Sequence, residues 1–321
     1  MNNSLNRDRN SEMTTSGGFE PNTSFNNVSV VGAGAMGNGI AHVLAQAGFK
    51  VKLVDVQPAQ LEQALATISK NFDRQIAKEK CSVAEKEAAI SRISTATSIA
   101  EGVKNASLVI EAATENVDLK LKIFKILDEE APPHCILASN TSSISITKIA
   151  AVTRRPNLVI GMHFMNPVPV MKLVEIINGY ATDEVVTNRI VALSKQLEKI
   201  PCIVNDYPGF VANRILMPMI NEAIYSLFEG VAGVSEIDTV MKLGMAHPMG
   251  PLQLADFIGL DVCLVILKVL QDGFGNPKYA PCPLLVNMVM AGKLGVKSGE
   301  GFYNYDAGTK DAKVSTAFCH I

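Results

Sequence analysis

The pattern of hydrophobic and polar positions along this chain changes character near Asp206. Before that residue, short apolar runs alternate with longer amphipathic stretches, beginning with VSVVG, a helical pattern over 35–48, and KVKLVD. Such alternation is typical of βαβ units, which build parallel sheets through right-handed crossovers. We therefore predict an α/β fold in which a Rossmann-type, mostly parallel sheet forms the first domain.

The same pattern predicts the remaining elements of this first domain. Helices are expected over 57–80, 117–130, 145–151 and 184–198. Strands are expected at SLVIEAA, CILASN, NLVIGMHF, MKLVEII and PCIVND. Pro58 suits a first helical turn, and Pro132 with Pro133 ends the helix over 117–130.

Beyond Asp206 the pattern is helical, with no further convincing strand until FYNY. We therefore expect a sheet domain over 27–207 and an all-helical domain over 208–305. A disordered tail over 1–26 and a loose tail over 306–321 should flank them. The stretch VCLVILKVL is apolar on more than one helix face, which indicates a subunit interface and favours a homodimer.

Composition narrows the class of protein. The 321 residues are 48% hydrophobic, and the net charge of −2 is spread along the chain, which favours a globular protein that binds no nucleic acid. No apolar run reaches the roughly 18 residues of a membrane span. The six cysteines show no metal-site spacing. Free thiols and the lack of any recognisable targeting signal at either end predict a cytoplasmic protein without a bound metal.

A glycine-rich turn joins the first strand to the first helix. Gly32, Gly34 and Gly37 fit the G-x-G-x-x-G spacing, in the strand–turn–helix context that a dinucleotide requires. Asp55 ends the second strand, where its carboxylate would accept hydrogen bonds from ribose hydroxyls and repel a 2′-phosphate. A tight turn without a ligand is the alternative, and FAD shares the fingerprint. The context favours NAD as the cofactor of the 27–207 domain.

Several polar residues follow predicted strands or open the helical region. The segment Ser139–Ser143 and His163 stand at strand carboxyl ends, where open α/β sheets bind ligands. Asn213 lies one turn into the helix after Gly209. From the residues alone, each has an ordinary alternative: capping a helix, packing in a core, or ending a helix.

Glu175 is harder to explain as a packing residue. It lies within LVEII, which has the pattern of a strand buried on both faces, and carboxylates are rarely buried without a partner. A regular hairpin centred on Pro167 would place Glu175 opposite residue 159, away from His163. We therefore expect the loop Asn166–Pro169 to break hairpin register if the two side chains meet.

Six motifs resemble the L-3-hydroxyacyl-CoA dehydrogenases in order and spacing over residues 27–305. They are GAGAMGNGIA, ASNTSS, GMHFMNPVPVMKLVE, DYPGFVANRI, KLGMAHPMGPLQLADFIGLD and KSGEGFYNY. The chain is most similar to the short, free-standing type that includes bacterial 3-hydroxybutyryl-CoA dehydrogenases. The resemblance implies NAD-dependent oxidation of (3S)-3-hydroxyacyl-CoA to 3-oxoacyl-CoA and the reverse reaction, in fatty-acid or butyrate metabolism. The helical domain over 208–305 would then serve substrate binding and dimerisation.

The resemblance also implies a role for each candidate residue. His163 would be the general acid/base and Glu175 its buried partner, while Ser142 would bind the C3 oxygen of the substrate and Asn213 would help to position it. The residues expected to contact the cofactor are Gly32, Gly34, Ala35, Met36, Gly37, Asp55, Glu115, Lys120, Asn140 and Asn166.

The CoA portion of the substrate needs a site of its own. Lys70, Arg74 and Lys78 share one face of the helix predicted over 57–80, and a solvated charged face is the ordinary interpretation. In the family this helix borders the CoA nucleotide, so Lys78 and Asn71 are candidate contacts.

Two other classes of function are alternatives: a related dehydrogenase, and a non-enzymatic NAD-binding protein. The 3-hydroxyisobutyrate and 6-phosphogluconate dehydrogenases share the glycine turn but use a lysine in the interdomain helix, and PGFVANRILMPMI has none. Sugar-acid dehydrogenases depart at the His163 stretch. A non-enzymatic NAD-binding protein on this scaffold would have no need of the buried Glu175.

Overall fold

The computed structural model describes residues 25–305 and 313–318, and an eight-stranded sheet forms its first half. The strand order is β3-β2-β1-β4-β5-β6-β7-β8, and all neighbours are parallel except β6 and β7. The strands are β1 Asn27–Val31, β2 Lys50–Val54, β3 Ile93–Ala96, β4 Leu108–Glu111, β5 Ile136–Ser139, β6 Val159–Phe164, β7 Leu173–Asn178 and β8 Ile200–Asn205. The predicted Rossmann-type fold is confirmed, although the short edge strand β3 was not predicted.

Helices cover both faces of this sheet. They are α1 Ala35–Gln46, α2 Pro58–Ile76, α3 Val83–Ser91, α4 Ile99–Val103, α5 Val117–Glu130, α6 Ile146–Ala150 and α7 Glu184–Gln196. Apolar residues of α1, α2 and α7 pack on one face, and those of α4, α5 and α6 pack on the other. Because both faces are covered, β4, β5 and β6 are buried along their whole length. Their sequences are for this reason mostly apolar without alternation.

The second helix ends earlier than the sequence predicts. It ends at Ile76, and Glu79 adopts a left-handed conformation at φ +55°. Lys78 therefore lies beyond the helix, exposed in the turn. The expectation that Lys70, Arg74 and Lys78 form a single helical face is wrong, because the chain turns away after the second of them.

The second half of the chain is helical, as predicted. Its helices are α8 Ala212–Phe228, α9 Val234–Thr239, α10 Pro251–Ile258, α11 Leu260–Phe274 and α12 Pro283–Met290. Buried residues of α8, among them Ile220, Ile224 and Leu227, pack with α10, α11 and α12 in a core of their own. None of the helices described has the length and hydrophobicity needed to cross a bilayer.

Both predicted tails are partly ordered. Phe25, within the tail predicted over 1–26, is buried beneath the Arg189 guanidinium at 4.5 Å. Residues 313–318, within the tail predicted over 306–321, also pack: β10 Lys313–Val314 pairs with β9 Tyr303–Asn304, and Phe318 lies 5.8 Å from the Phe302 ring. In both cases an aromatic side chain fixes the segment. The rest of each tail lies outside the described residues.

Candidate active site

The turn between β1 and α1 lies where the strand order reverses, between β1 and β4. Gly32 has φ +102°, and a Cβ there would lie 2.7 Å from the Ala112 carbonyl oxygen. A Cβ at Gly37 would lie 1.7 Å from the Gly32 carbonyl oxygen, whereas no described atom lies within 4 Å of one at Gly34. Two glycines thus close the turn and the third leaves open space above it. That space suits a pyrophosphate beside the amino end of α1, which begins at Ala35 and Met36.

Asp55 ties the end of β2 to this turn. Its carboxylate accepts hydrogen bonds from the backbone N–H of Ala33 at 2.8 Å and of Gln57 at 3.0 Å. The side chain is half-buried, so part of it faces solvent beside the turn. The glycine turn that would bind the pyrophosphate of NAD and the carboxylate that would accept from its ribose hydroxyls are therefore held next to each other.

His163 and Glu175 stand directly opposite each other in the antiparallel pair β6–β7. The imidazole Nδ1 lies 2.8 Å from Glu175 Oε2, and both side chains are buried. The expected contact is present, but the expected register break is wrong. Pairing is regular and centred on Pro169, two residues later than assumed, so the loop 165–172 brings the pair together without distortion of the strands.

The second oxygen of Glu175 reaches the helical half of the molecule. Oε1 accepts hydrogen bonds from the backbone N–H of Val211 at 3.2 Å and of Ala212 at 3.0 Å, at the start of α8. Burial opposes ionisation, but the hydrogen bond from His163 and these backbone donors hold the pKa of Glu175 below its ordinary value. An ionised Glu175 can only accept, so Nδ1 carries its hydrogen and Nε2 is the free basic nitrogen.

The loop after β5 is anchored next to this pair. Asn140 Oδ1 accepts a hydrogen bond from the Phe164 N–H at 2.9 Å, and Asn213 Nδ2 donates to the Ser142 carbonyl at 3.0 Å. Asp206 accepts from Ser145 Oγ and the Thr147 N–H, both at 2.7 Å, and so holds the start of α6. Ser142 and Asn213 are therefore brought together, on the side of the sheet to which His163 points.

Glu115 binds the same loop. Its Oε1 accepts hydrogen bonds from Thr141 Oγ1 at 2.6 Å and from the backbone N–H of Ser142 and Ser143 at 3.0 and 3.2 Å. The Ser142 hydroxyl lies 3.3 Å from the same oxygen. Burial works against the charge, but nearby Lys120 and these donors hold the pKa of Glu115 below its ordinary value. The loop is thus organised around a carboxylate anion.

Lys120 is buried, and it has two carboxylate neighbours. Its Nζ lies 2.6 Å from Glu111 Oε1 and 3.5 Å from Glu115 Oε2. Glu111, at the end of β4, is fully buried and was not singled out from the sequence. The signal was available, since a glutamate that ends the apolar run LVIE is the same kind of anomaly as Glu175 within LVEII.

Lys199 is a second buried lysine, and unlike Lys120 it was not singled out from the sequence. Lys199 Nζ donates to the carbonyl oxygens of Val168 and Met171 at 2.5 and 2.7 Å. These contacts hold the loop between β6 and β7, and Val168 also packs against Gly39 of α1. No local pattern marks this lysine, because its partners are backbone atoms about thirty residues away in the chain.

Three predicted site residues lie apart from the groups described above. Asn166 is exposed in the loop between β6 and β7, and Lys78 is exposed beyond α2. Asn71 is half-buried and accepts a hydrogen bond from Arg74 at 3.3 Å. Helix α2 covers the sheet face opposite to that of the His163 side chain. Their roles stay predictions.

The described residues contain no grouping of three or more histidine, cysteine, aspartate or glutamate side chains that could hold a metal ion. Five cysteines in the same part of the chain are free thiols.

Comparison with known proteins gives matches along most of the chain. Family models described as "3-hydroxyacyl-CoA dehydrogenase, NAD binding domain" and "3-hydroxyacyl-CoA dehydrogenase, C-terminal domain" match residues 27–207 and 209–305. A probable 3-hydroxybutyryl-CoA dehydrogenase of Bacillus subtilis (strain 168) is 56% identical over 88% of this chain and 98% of its own length. The human mitochondrial hydroxyacyl-coenzyme A dehydrogenase is 44% identical over 87% of this chain and 90% of its own.

A solved structure agrees with this result. The crystal structure of (S)-3-hydroxybutyryl-CoA dehydrogenase from Ralstonia eutropha superposes with a TM-score of 0.86 at 53% identity. The match covers 88% of this chain and 100% of the other. The sequence matches and the structural match therefore agree on the family.

Proposed function

The chain belongs to the 3-hydroxyacyl-CoA dehydrogenase family and is an NAD-dependent oxidoreductase, and from this premise we propose its substrate and the roles of its residues. The substrate is a short (3S)-3-hydroxyacyl-CoA, with 3-hydroxybutyryl-CoA and acetoacetyl-CoA as the interconverted pair. The observation that carries the proposal is the buried His163–Glu175 pair at 2.8 Å, beside Ser142 and Asn213. The enzyme would serve fatty-acid or butyrate metabolism.

The reaction divides between the cofactor and the side chains. NAD, when bound above the glycine turn, supplies the hydride acceptor. His163 Nε2 takes the proton of the 3-hydroxyl group as the hydrogen on C3 departs with its electron pair, and the imidazolium returns that proton to the oxygen in the reverse direction. Glu175 keeps Nδ1–H oriented and stabilises the imidazolium that forms.

The other polar residues orient the reactants. The Ser142 hydroxyl binds the C3 oxygen of the substrate, and Asn213 fixes the backbone of Ser142 through its 3.0 Å hydrogen bond. Around the nicotinamide and its ribose lie Glu115, Lys120, Asn140 and Asn166. Asn71 and Lys78 contact the CoA portion, which is long enough to extend over the surface around α2.

The two halves of the chain divide the work in this proposal. Residues 27–207 bind NAD, and residues 208–305 bind substrate and form a homodimer. Helices α10 and α11 and the segment that precedes α10 expose large apolar side chains: Leu243, Met245, Phe257, Val262 and Val265. Their burial against a second copy would be expected of an obligate interface. Light scattering on the purified protein should give a molar mass twice that of one chain. Phe257→Glu should lower the measured mass toward that of a single chain.

We also propose a cytoplasmic location for the enzyme. The support is that five of its six cysteines are described and all five are free thiols, as is common in reducing compartments. Cell fractionation tests this location directly.

The test of the proposed reaction is the oxidation of NADH in the presence of acetoacetyl-CoA. General acid/base catalysis contributes about 10²- to 10⁴-fold in rate, so His163→Gln should lower kcat by that order. His134→Gln, which changes an exposed histidine on a turn, is the matched control and should leave kcat unchanged. A wild-type protein that does not oxidise NADH with this substrate, or a fully active His163→Gln, would refute the proposal. A series of acyl chains from C4 to C16 then tests the preference for short substrates.

A further inference from the structure

We propose that Glu111 is a positioning residue for the reacting groups: it fixes the loop that carries Ser142, through Lys120 and Glu115 on one side and through Ser139 on the other. The inference rests on the proposed function for its kinetic consequences. It concerns a residue that touches neither the substrate nor the cofactor in that proposal.

The two oxygens of Glu111 have separate partners. Oε1 accepts from Lys120 Nζ at 2.6 Å and from the Ala113 N–H at 2.7 Å. Oε2 accepts from Ser139 Oγ at 2.7 Å, across the register pair that joins β4 to β5. One carboxylate thus binds the end of β4, the end of β5 and the first turn of α5. The loop 140–143 starts from the second of these points.

Lys120 carries the connection onward to Glu115. Its side chain is 1% exposed, and its ammonium lies between two carboxylates, with the shorter contact to Glu111. A buried ammonium that loses its shorter carboxylate partner keeps only the more distant Glu115 carboxylate to balance its charge, so we expect it to shift toward that group. The position of Lys120 therefore depends on Glu111, and the charge that faces Glu115 depends on Lys120.

Glu115 carries the connection to the substrate-binding loop. It accepts hydrogen bonds from the backbone N–H of Ser142 and Ser143 and from hydroxyls of the same segment. A shift of this carboxylate would release those N–H groups and let Ser142 Oγ move. Since small displacements of a positioned group are costly in catalysis, the loss should appear in turnover and not only in stability.

Helix α5 offers a matched control at its other end. Asp128, two turns beyond Lys120, is also buried, and it accepts hydrogen bonds from Arg154 Nε at 2.9 Å and Arg155 Nε at 2.8 Å. These arginines precede β6, at the amino ends of the parallel strands, whereas the serine loop follows the carboxyl end of β5. Asp128→Asn therefore removes a buried carboxylate charge of the same helix without touching the site.

The experiment compares Glu111→Gln with Asp128→Asn in the full-length enzyme, at a temperature where both are folded. Both should lower the melting temperature. Only Glu111→Gln should lower kcat/KM for acetoacetyl-CoA, by about tenfold or more. Ser139→Ala removes the Oε2 contact and also the hydrogen bond that the Thr141 N–H donates to the Ser139 hydroxyl. It should cause a smaller loss in the same direction, and it replaces Glu111→Gln in the test if that variant does not fold.

Coupling to Ser142 separates positioning from general destabilisation. In a Ser142→Ala background, Glu111→Gln should cause little further loss, because the group that it positions is gone. The Asp128→Asn change should combine additively with Ser142→Ala. Losses that multiply for Glu111→Gln as well, or an unchanged kcat/KM, would overturn the inference.

A readout independent of activity keeps this inference separate from the proposed reaction. Hydrogen exchange at the Ser142 and Ser143 amides should be faster in Glu111→Gln and unchanged in Asp128→Asn, because only the former releases the carboxylate that they bind. Unchanged exchange in Glu111→Gln would refute the positioning role even if the enzyme is active. Faster exchange in an enzyme inactive with acetoacetyl-CoA would support the role and reject the substrate.

Discussion

Buried carboxylates occur in both halves of the molecule, and they have different kinds of partner. In the sheet half, Glu175 faces an imidazole and Glu111 faces an ammonium group, and each also accepts from backbone N–H groups. In the helical half, Asp238 and Asp256 are equally buried, and the hydrogen bonds to them come from backbone N–H groups and tyrosine hydroxyls.

The contacts of the helical pair explain what it does. Asp238 accepts from the Leu252 N–H at 2.8 Å and from Tyr303 OH at 2.7 Å, and so caps the start of α10. Asp256 accepts from the N–H groups of Phe302 and Tyr303 at 3.0 and 2.9 Å. Burial, reinforced by the nearby negative charge of Asp238, raises the pKa of Asp256 to about 6.

The comparison separates two uses of a costly buried charge. A carboxylate whose donors are all backbone N–H groups and tyrosine hydroxyls fixes the path of the chain, because none of these donors is a cation. A carboxylate that binds an imidazole stabilises a group that gains and loses a proton during turnover. We expect the first kind to matter for stability and its pH dependence, and the second to matter for rate.

The largest effect is expected for Glu175→Gln. The amide can still accept from Nδ1–H, but it cannot stabilise the imidazolium, so kcat should fall by about 10²-fold or more. Steady-state kinetics with saturating NADH measures this loss, and circular dichroism checks that the variant is folded. A kcat close to that of the wild type would show that Glu175, like Asp256, contributes to stability and not to catalysis.

A change in pH dependence is expected for Asp256→Asn. Because the folded-state pKa of about 6 lies above the unfolded value of about 3.9, the contribution of Asp256 to stability is full below pH 4 and is lost as the pH rises through 6. The wild-type free energy of unfolding, minus that of the variant, should fall by about 2–3 kcal/mol between pH 4 and pH 7.

Urea unfolding at several pH values measures this difference. The kcat of the variant should stay within about twofold of wild type, which corresponds to less than about 0.5 kcal/mol in activation free energy. If the difference in the free energy of unfolding is constant with pH, or grows as the pH rises, Asp256 is ionised throughout this range. The predicted loss of stability through its deprotonation would then be refuted.

The smallest effect is expected for Tyr305→Phe. Its hydroxyl donates to Asp256 Oδ2 at 3.0 Å, an oxygen that keeps the Tyr303 N–H as a second donor. Loss of one such hydrogen bond should lower the free energy of unfolding by about 1 kcal/mol, without an effect on kcat. Tyr180→Phe, at a side chain that is 95% exposed, is the control and should be neutral.

The fold was largely predictable because its elements carry local signals. The glycine turn, the alternation up to Asp206 and the helical pattern beyond it each depend on residues close together in the chain. The strand β3 was missed because ISTA is short, and its two central residues are exposed at the sheet edge, so that no apolar run marks it.

The candidate site was predictable in part. His163 and Glu175 were singled out, but the centre of their hairpin was misplaced by two residues, since two prolines and an asparagine do not specify which residue lies at the tip of a long loop. The link from Glu111 to Ser139 joins residues 28 apart, and that of Lys199 joins backbone atoms of a distant loop. Such contacts depend on the assembled sheet and have no sequence pattern of their own.

The double use of the Glu175 carboxylate has a consequence for how the enzyme is made. Ribosomes complete the sheet half first, and domains generally fold as they emerge. At that stage Oε1 has none of the partners that Val211 and Ala212 later supply from the start of α8. A nascent or truncated chain could already hold the nucleotide while its histidine lacked a firmly held carboxylate. The acid/base pair would then be complete only after the start of α8 has been made and has packed against the sheet half.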